Sequence, residues 1–325
     1  MVFLGMKKYT LLCLALFLFC YASPALPFGG PLQVKNQFPL FLSLNAPYLE
    51  TAYTEHSLSA GISHSSIYMM RDSREWSIHL DMEVTELTLR YRRDIPALCE
   101  LGIEVPFISL NSGFMDNFLN FYHKTFGFPD YGRSMRPSNE FLYEVRRNGN
   151  LVIKGEGGRI NLGDIRLTAK KMILKSDPAV SIKVDLELPT GSASKGYGNG
   201  SFDAGITVMA DKKVTDAVMA FGNFGAVFPG DLKVDETIKL STYLFGGAGI
   251  EAAITKNLSL LGQVSFQNSP FPKTGIGSID RVAVLLSLGG RYTAGRDSFE
   301  FSLTEDPNTA GAPDVSFNFV YKRRF

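Results

Sequence analysis

Val180-Ser181-Ile182-Lys183-Val184-Asp185-Leu186-Glu187-Leu188 alternates throughout, with valine, isoleucine or leucine at each even position and Ser181, Lys183, Asp185 and Glu187 between them. Successive side chains of an extended strand point to opposite faces, so one face of this segment is apolar and the other polar. The same period recurs at 281–293, where Val282, Val284, Leu286, Leu288 and Tyr292 oppose Arg281, Ser287, Arg291 and Thr293. At 237–254, Ile238, Leu240, Leu244, Ile250 and Ile254 oppose Lys239, Ser241, Tyr243 and Glu251. Such segments outrun the roughly 5–6 residues of an average soluble strand. They match the roughly 9–11 residues that a tilted strand needs to cross a bilayer.

Extending this reading places strands at about 56–70, 76–92, 98–109, 159–175, 180–189, 201–211, 215–228, 237–255, 257–268, 281–293, 297–305 and 313–325. The connections then alternate: tight turns at Asp94–Pro96, 176–179, 212–214, Lys256 and 294–296, and longer loops at 110–158, 190–200, 229–236, 269–280 and 306–312. Outer-membrane barrels have this parity, with short periplasmic turns and long external loops. The expected fold is all-β: a transmembrane antiparallel up-and-down β-barrel of about twelve strands, with a short helix in one long extracellular loop. A soluble sandwich also alternates, and the final strand separates the two. Val315, Phe317, Phe319, Tyr321 and the terminal Phe325 share one face, which resembles the closing strand read by the barrel-assembly machinery, although Arg323 departs from the usual apolar residue.

The composition agrees with such a shell. Of 325 residues, 45% are hydrophobic, 12% aromatic and 20% charged, with 33 Lys+Arg against 32 Asp+Glu. That balance excludes nucleic-acid binding by bulk charge and excludes a disordered chain. Lys7 and Lys8, the apolar run from Leu11 to Tyr21 and the small residues Ala22 to Ala25 read as a cleaved signal peptide, residues 1–25, for export to a bacterial outer membrane. Cleavage would remove Cys13 and Cys20, leaving Cys99 and no internal disulfide. Residues 26–55, with Phe38, Pro39, Leu40, Phe41 and Leu42 and no clean alternation, read as an N-terminal extension or a plug entering the barrel, which occupies 56–325.

In the long loop 110–158, Phe118, Leu119, Tyr122 and Phe126 have helical spacing, closed by Gly127 and Pro129. A hairpin about Asn148-Gly149-Asn150 follows. Such a segment would lie over the mouth, rest on lipopolysaccharide or dip into the lumen.

The polar faces become the lumen. The phases gather Asp81, Glu83, Glu104, Asp164, Arg166, Lys183, Asp185, Glu187, Arg281 and Arg291 there, with His79, Glu86, Arg90, Glu100, Lys170, Lys239 and Glu251. Mixed signs point to interlocked ion pairs rather than to a ring of one sign selecting an ion. Along the second strand, Ile78, Leu80, Met82 and Val84 give way to Leu87, Leu89 and Tyr91, which reads as a bulge near Thr85 and Glu86. The four histidines have no metal-ligand spacing, and neither a metal nor a cofactor is expected. His64-Ser65-Ser66 has the order seen in outer-membrane phospholipases, without the Asn-Gly that follows in those enzymes. Gly196, Gly198 and Gly200 are followed by no helix and make no phosphate loop.

Gly30-Pro31-Leu32-Gln33-Val34-Lys35-Asn36-Gln37-Phe38-Pro39-Leu40, the stretch Asn111-Ser112-Gly113-Phe114-Met115-Asp116 and the terminal strand resemble a Gram-negative family recorded only as a domain of unknown function. Leu188-Pro189-Thr190-Gly191 with Gly198, Gly200 and Asp203 is similar to outer-membrane transporters associated with aromatic-compound degradation. The resemblance implies an outer-membrane barrel and brings no assigned site residues. The expected function is a non-enzymatic channel or transporter for a small solute, hydrophobic molecules included. The alternatives are a non-conducting structural or surface-interaction barrel and, behind both, a lipid hydrolase. Expected partners are outer-membrane lipid and lipopolysaccharide, the assembly machinery at Phe325, and the solute itself.

Overall fold

The computed structural model describes residues 28–127 and 132–325; the signal peptide expected at 1–25 lies outside the described residues. The strands are β1 (Ser57–Asp72), β2 (Trp76–Ile95), β3 (Cys99–Asn111), β4 (Leu142–Arg147), β5 (Asn150–Lys154), β6 (Ile160–Leu162), β7 (Ile165–Leu174), β8 (Ala179–Leu188) and β9 (Asp203–Thr215). They continue with β10 (Val218–Phe228), β11 (Leu232–Lys233), β12 (Thr237–Ile238), β13 (Tyr243–Ala253), β14 (Leu258–Gln267), β15 (Ala283–Ala294), β16 (Asp297–Glu305) and β17 (Val315–Arg324). Helices are short: α1 (Pro39–Leu42), α2 (Asp116–Phe126) and α3 (Gly277–Asp280).

Twelve strands close into an antiparallel barrel in the order β1-β2-β3-β7-β8-β9-β10-β13-β14-β15-β16-β17. The seam is β1 on β17, in register from Ser57 opposite Arg324 to Ser66 opposite Val315. One end of the barrel carries the tight connections β2–β3, β7–β8, β9–β10, β13–β14 and β15–β16; the other carries the long ones and the three-residue β1–β2 turn at 73–75. These are called the turn end and the loop end below. The outward positions hold large apolar side chains that no part of the chain covers, among them Leu58, Ile62, Leu87, Val184, Ile250, Leu288 and Phe301. A contiguous belt of this kind is stable only against lipid, so the barrel is transmembrane.

The lumen is filled by the chain's own N-terminal segment. Residues 29–55 climb from the turn end, reverse at α1 and descend to β1. Leu32, Gln37, Phe41, Leu49 and Ala52 are all buried within the barrel. A Cβ at Gly247 on β13 would overlap Val264 O of β14 and lie 3.0 Å from a Leu49 methyl, so the bare backbone is needed where wall and plug meet.

The strand β2 corrects the expected bulge. Its register with β1 runs unbroken from Arg92 to Ser77, and with β3 from Ile95 to Glu83. Even positions therefore face inward along the whole strand. What changes is the environment they meet: Glu86, Thr88, Arg90 and Arg92 are buried among charges, whereas Trp76, Ile78, Leu80, Met82 and Val84 join an apolar cluster. Asp81 and Glu83 consequently point out of the barrel, contrary to their expected place in the lumen. His79 also faces out, beside Asp72 at 3.1 Å.

The long loop makes three different contacts. Glu83 accepts hydrogen bonds from Phe114 N (2.8 Å) and Met115 N (2.5 Å), which fixes the start of α2 to the outer face of β2. Gly113 adopts φ 77°, and a Cβ there would overlap the Glu83 carboxyl group. Farther on, β4 pairs with β2 from Leu142 opposite Asp81 to Arg147 opposite Trp76. The β4–β5 hairpin thereby extends the barrel wall, and its Tyr143, Val145, Val152 and Ile153 face the apolar cluster inside.

Candidate functional site

The filled lumen has two compartments. In the turn-end half, inward side chains of β2, β3, β7 and β8 hold the plug by ion pairs. Glu50 lies 2.5 Å from Lys183 and 2.8 Å from Arg92; Arg92 also reaches Glu55 at 3.0 Å. Glu104 accepts a hydrogen bond from the Tyr48 hydroxyl and lies 3.4 Å from Arg90 and 3.7 Å from Lys35. Glu86 accepts from Lys35 Nζ at 3.1 Å and Gln37 Nε2 at 2.7 Å.

Asp185 and Glu187 accept from the side chain and the backbone N–H of Asn45 at 2.5 and 2.6 Å. Arg166 donates to Ala46 O at 2.9 Å and lies 3.5 Å from Glu187. Across the lumen Arg291 pairs with Glu251 (2.7 Å) and Glu300 (3.0 Å) and donates to Gly30 O (2.6 Å). Alternation supplies these groups, because each charged residue is flanked by two that lipid holds outside.

Of the ten candidate lumen residues, this network brings together Glu104, Arg166, Lys183, Asp185, Glu187 and Arg291. Asp164 stands at the loop-end rim, where it accepts from Gly191 N (2.6 Å) and Asn199 N (3.3 Å). Burial there pushes its carboxyl up to about 6, against the pull of those hydrogen bonds. Asp81 lies outside the wall, bonded to Arg136 Nε at 2.6 Å, and Glu83 caps α2. Arg281 is exposed after α3, its Nε donating to Gly277 O at 3.0 Å, because β15 begins only at Ala283. Lys239 likewise lies in an exposed connection. The plug's own Lys35, Tyr48, Glu50 and Glu55 were not picked out from the sequence, although the acids in 48–55 precede the first strand and have no partner of their own there.

The loop-end half is an apolar chamber. Ile67 and Met69 of β1, the inward face of β2, the hairpin β4–β5, Leu232, Ile238, Phe271, Ile276 and Ile279 enclose it. Phe38, Leu40, Phe41 and Leu44 of the plug occupy its centre. The rings form a chain: Phe38 to Phe41 at 5.6 Å, Phe41 to Phe271 at 6.2 Å, Phe271 to Trp76 at 6.3 Å. Trp76 Nε1 and the Tyr143 hydroxyl are buried with no hydrogen-bond partner among the described residues.

On the outer face His64 Nε2 lies 2.8 Å from Glu83, and its Nδ1 lies 2.8 Å from Thr85 Oγ1. The hydroxyl it meets is that of Thr85; Ser66 Oγ accepts from Arg133 at 3.1 Å. Arg133 in turn joins Asp116 and Asp314, so these groups tie the loop to the wall. Among the described residues no cluster of three metal-ligating side chains occurs.

Fold and interior together define a plugged transmembrane β-barrel. The chain belongs to the family described as Protein of unknown function (DUF3187), whose model matches residues 13–325. Among solved structures, an outer membrane channel from Pseudomonas putida F1 is similar at 14% identity and TM-score 0.56, over 84% of this chain and 96% of that one. The NanC porin follows at 7% and 0.46, over 83% and 98%. The CymD monoaromatic hydrocarbon channel stands at 12% and 0.44, over 92% and 95%. The first likeness is one of fold. No curated protein matches the chain significantly.

Proposed function

We propose that the protein is an outer-membrane channel for a small, largely apolar solute, held closed by residues 29–55. The observation that carries this reading is the loop-end chamber, an apolar region inside a transmembrane barrel whose centre is occupied by side chains of the chain's own N-terminal segment. Phe38, Leu40, Phe41 and Leu44 stand where a hydrophobic solute would bind. The unpartnered Trp76 Nε1 and Tyr143 hydroxyl offer donors to a solute that also carries an oxygen acceptor. The ion-paired half below would release the plug only when several buried pairs separate together, which makes the resting barrel tight.

The rival is a non-conducting structural barrel, favoured by the density of those same ion pairs. Conductance and solute flux separate the two. Full-length protein in planar bilayers and proteoliposomes should be nearly silent, and Glu50→Gln or Phe41→Ala should raise both conductance and the flux of a labelled monoaromatic compound. Silence in every variant, with the barrel folded, would overturn the channel in favour of a non-conducting barrel.

A further inference from the structure

The wall is incomplete at one place near the loop end. Pairing of β1 with β17 stops at Ser66 opposite Val315, yet β1 continues to Asp72 with its other edge on β2. Among the described residues, the edge of Ile67 to Asp72 turned toward β17 faces no strand, a length of about 20 Å at the rise of an extended chain. The gap is framed rather than frayed. Asp314 N donates to Ser66 O at 3.1 Å at its lower limit, and Ser73 Oγ donates to Thr274 O at 2.7 Å at its upper limit. Between them lies a cleft of about 410 Å³, bordered by the apolar Met69, Met70 and Ile276 and by the charged Arg71, Asp72, Arg281 and Asp306.

The cleft leads to the plug. Met69 and Ile276 belong both to its lining and to the apolar chamber. Gly311 O accepts from Asn36 Nδ2 of the plug at 2.8 Å, and a Cβ at Gly311 would overlap the Phe41 ring. Ser278 Oγ donates to the Met69 sulfur at 3.9 Å, so these two side chains close the inner end of the cleft, and a molecule that parts them meets Phe41 next, then Phe271 and Trp76.

We propose that this window is the entry portal of the chamber, that it admits a small aromatic molecule between the edge of β1 and the loops 268–282 and 306–314, and that Phe41 is the group the molecule displaces. The proposal rests on the chamber being a solute site. The cleft's volume suits one substituted ring; Met69, Met70 and Ile276 suit its aromatic face, and the charged side chains at the opening suit a polar substituent.

Trp76 is the sole tryptophan and lies at the inner end of the path, so it reports arrival. Bromobenzene, a contact quencher, is mixed in stopped flow with the protein reconstituted in lipid vesicles that contain no other protein. Wild-type protein should show saturable quenching. Ser278→Phe and Ala312→Phe narrow the window and should each slow association tenfold or more while leaving the final quenching and the heat-modifiable gel shift unchanged. Met69→Ala widens it and should speed association. Association unchanged in both phenylalanine variants would overturn the portal while keeping the chamber. Absence of quenching in the wild type would overturn the chamber and the portal together.

Discussion

Glu83 and Glu86 stand three residues apart on β2 and face opposite sides of the barrel wall. Glu83 caps the start of α2 outside, and Glu86 holds Lys35 and Gln37 of the plug inside. Removing either carboxylate should release a different segment. Glu83→Ala strands two backbone donors, at a local cost of about 1–3 kcal/mol. Hydrogen exchange should then quicken in 113–127 and not in 33–38, with the reverse for Glu86→Ala. Equal exchange changes in both segments for either variant would show the wall does not separate them.

Glu50 links the plug to both Lys183 and Arg92. Glu50→Gln leaves two buried cations short of a counter-charge, which should weaken plug docking by about 3–5 kcal/mol. Proteolysis within 29–55 should accelerate while the gel shift of the folded barrel persists. Adding Lys183→Met should recover part of the loss, because the pair then disappears as a unit.

Asp164 gives the loop 189–200 a pH dependence. Its folded value, about 6, lies above the ordinary 3.8 because burial penalises the charged carboxylate. Its contribution to stability is therefore complete below about pH 4 and is lost as the pH rises through about 6, a change on the order of 3 kcal/mol. Protection of the Gly191 and Asn199 amides, corrected for intrinsic exchange, should fall between pH 4 and 7. Asp164→Asn should flatten that profile.

Val184 sits outward in the middle of β8, in the belt against lipid. Val184→Arg should cost about 2–4 kcal/mol in bilayer refolding, whereas Val214→Arg, at the turn end of β9, should cost about 0–1 kcal/mol. Equal costs at the two positions would contradict the placement of the belt.

Alternation made the barrel legible, since lipid outside forces an apolar residue at every second position of β8 or β15. It says which residues share a face, and not whether that face is wet. On β2 the inward face turns from charged to apolar as it passes from the ion-paired half to the chamber, and the sequence pattern reads this as a change of phase. Asp81 and Glu83 were misplaced for that reason. Arg281 fits the period of β15 but precedes its first residue, because α3 ends there. The plug escaped alternation altogether: a coil threaded through a lumen contacts walls on every side, so Lys35 and Phe41 lie on a segment without period.

The position of the plug also sets an order of assembly. Residues 29–55 touch inward side chains from β2 round to β15, and the seam between β1 and β17 shuts behind them. Inserting them into a finished cylinder would carry several charged side chains through its mouth unpaired, at a cost in desolvation. Enclosure together with closure avoids that cost: a sheet that curls about its own leading segment pairs those charges as it shuts, and the segment would then act as the form on which the barrel is wound.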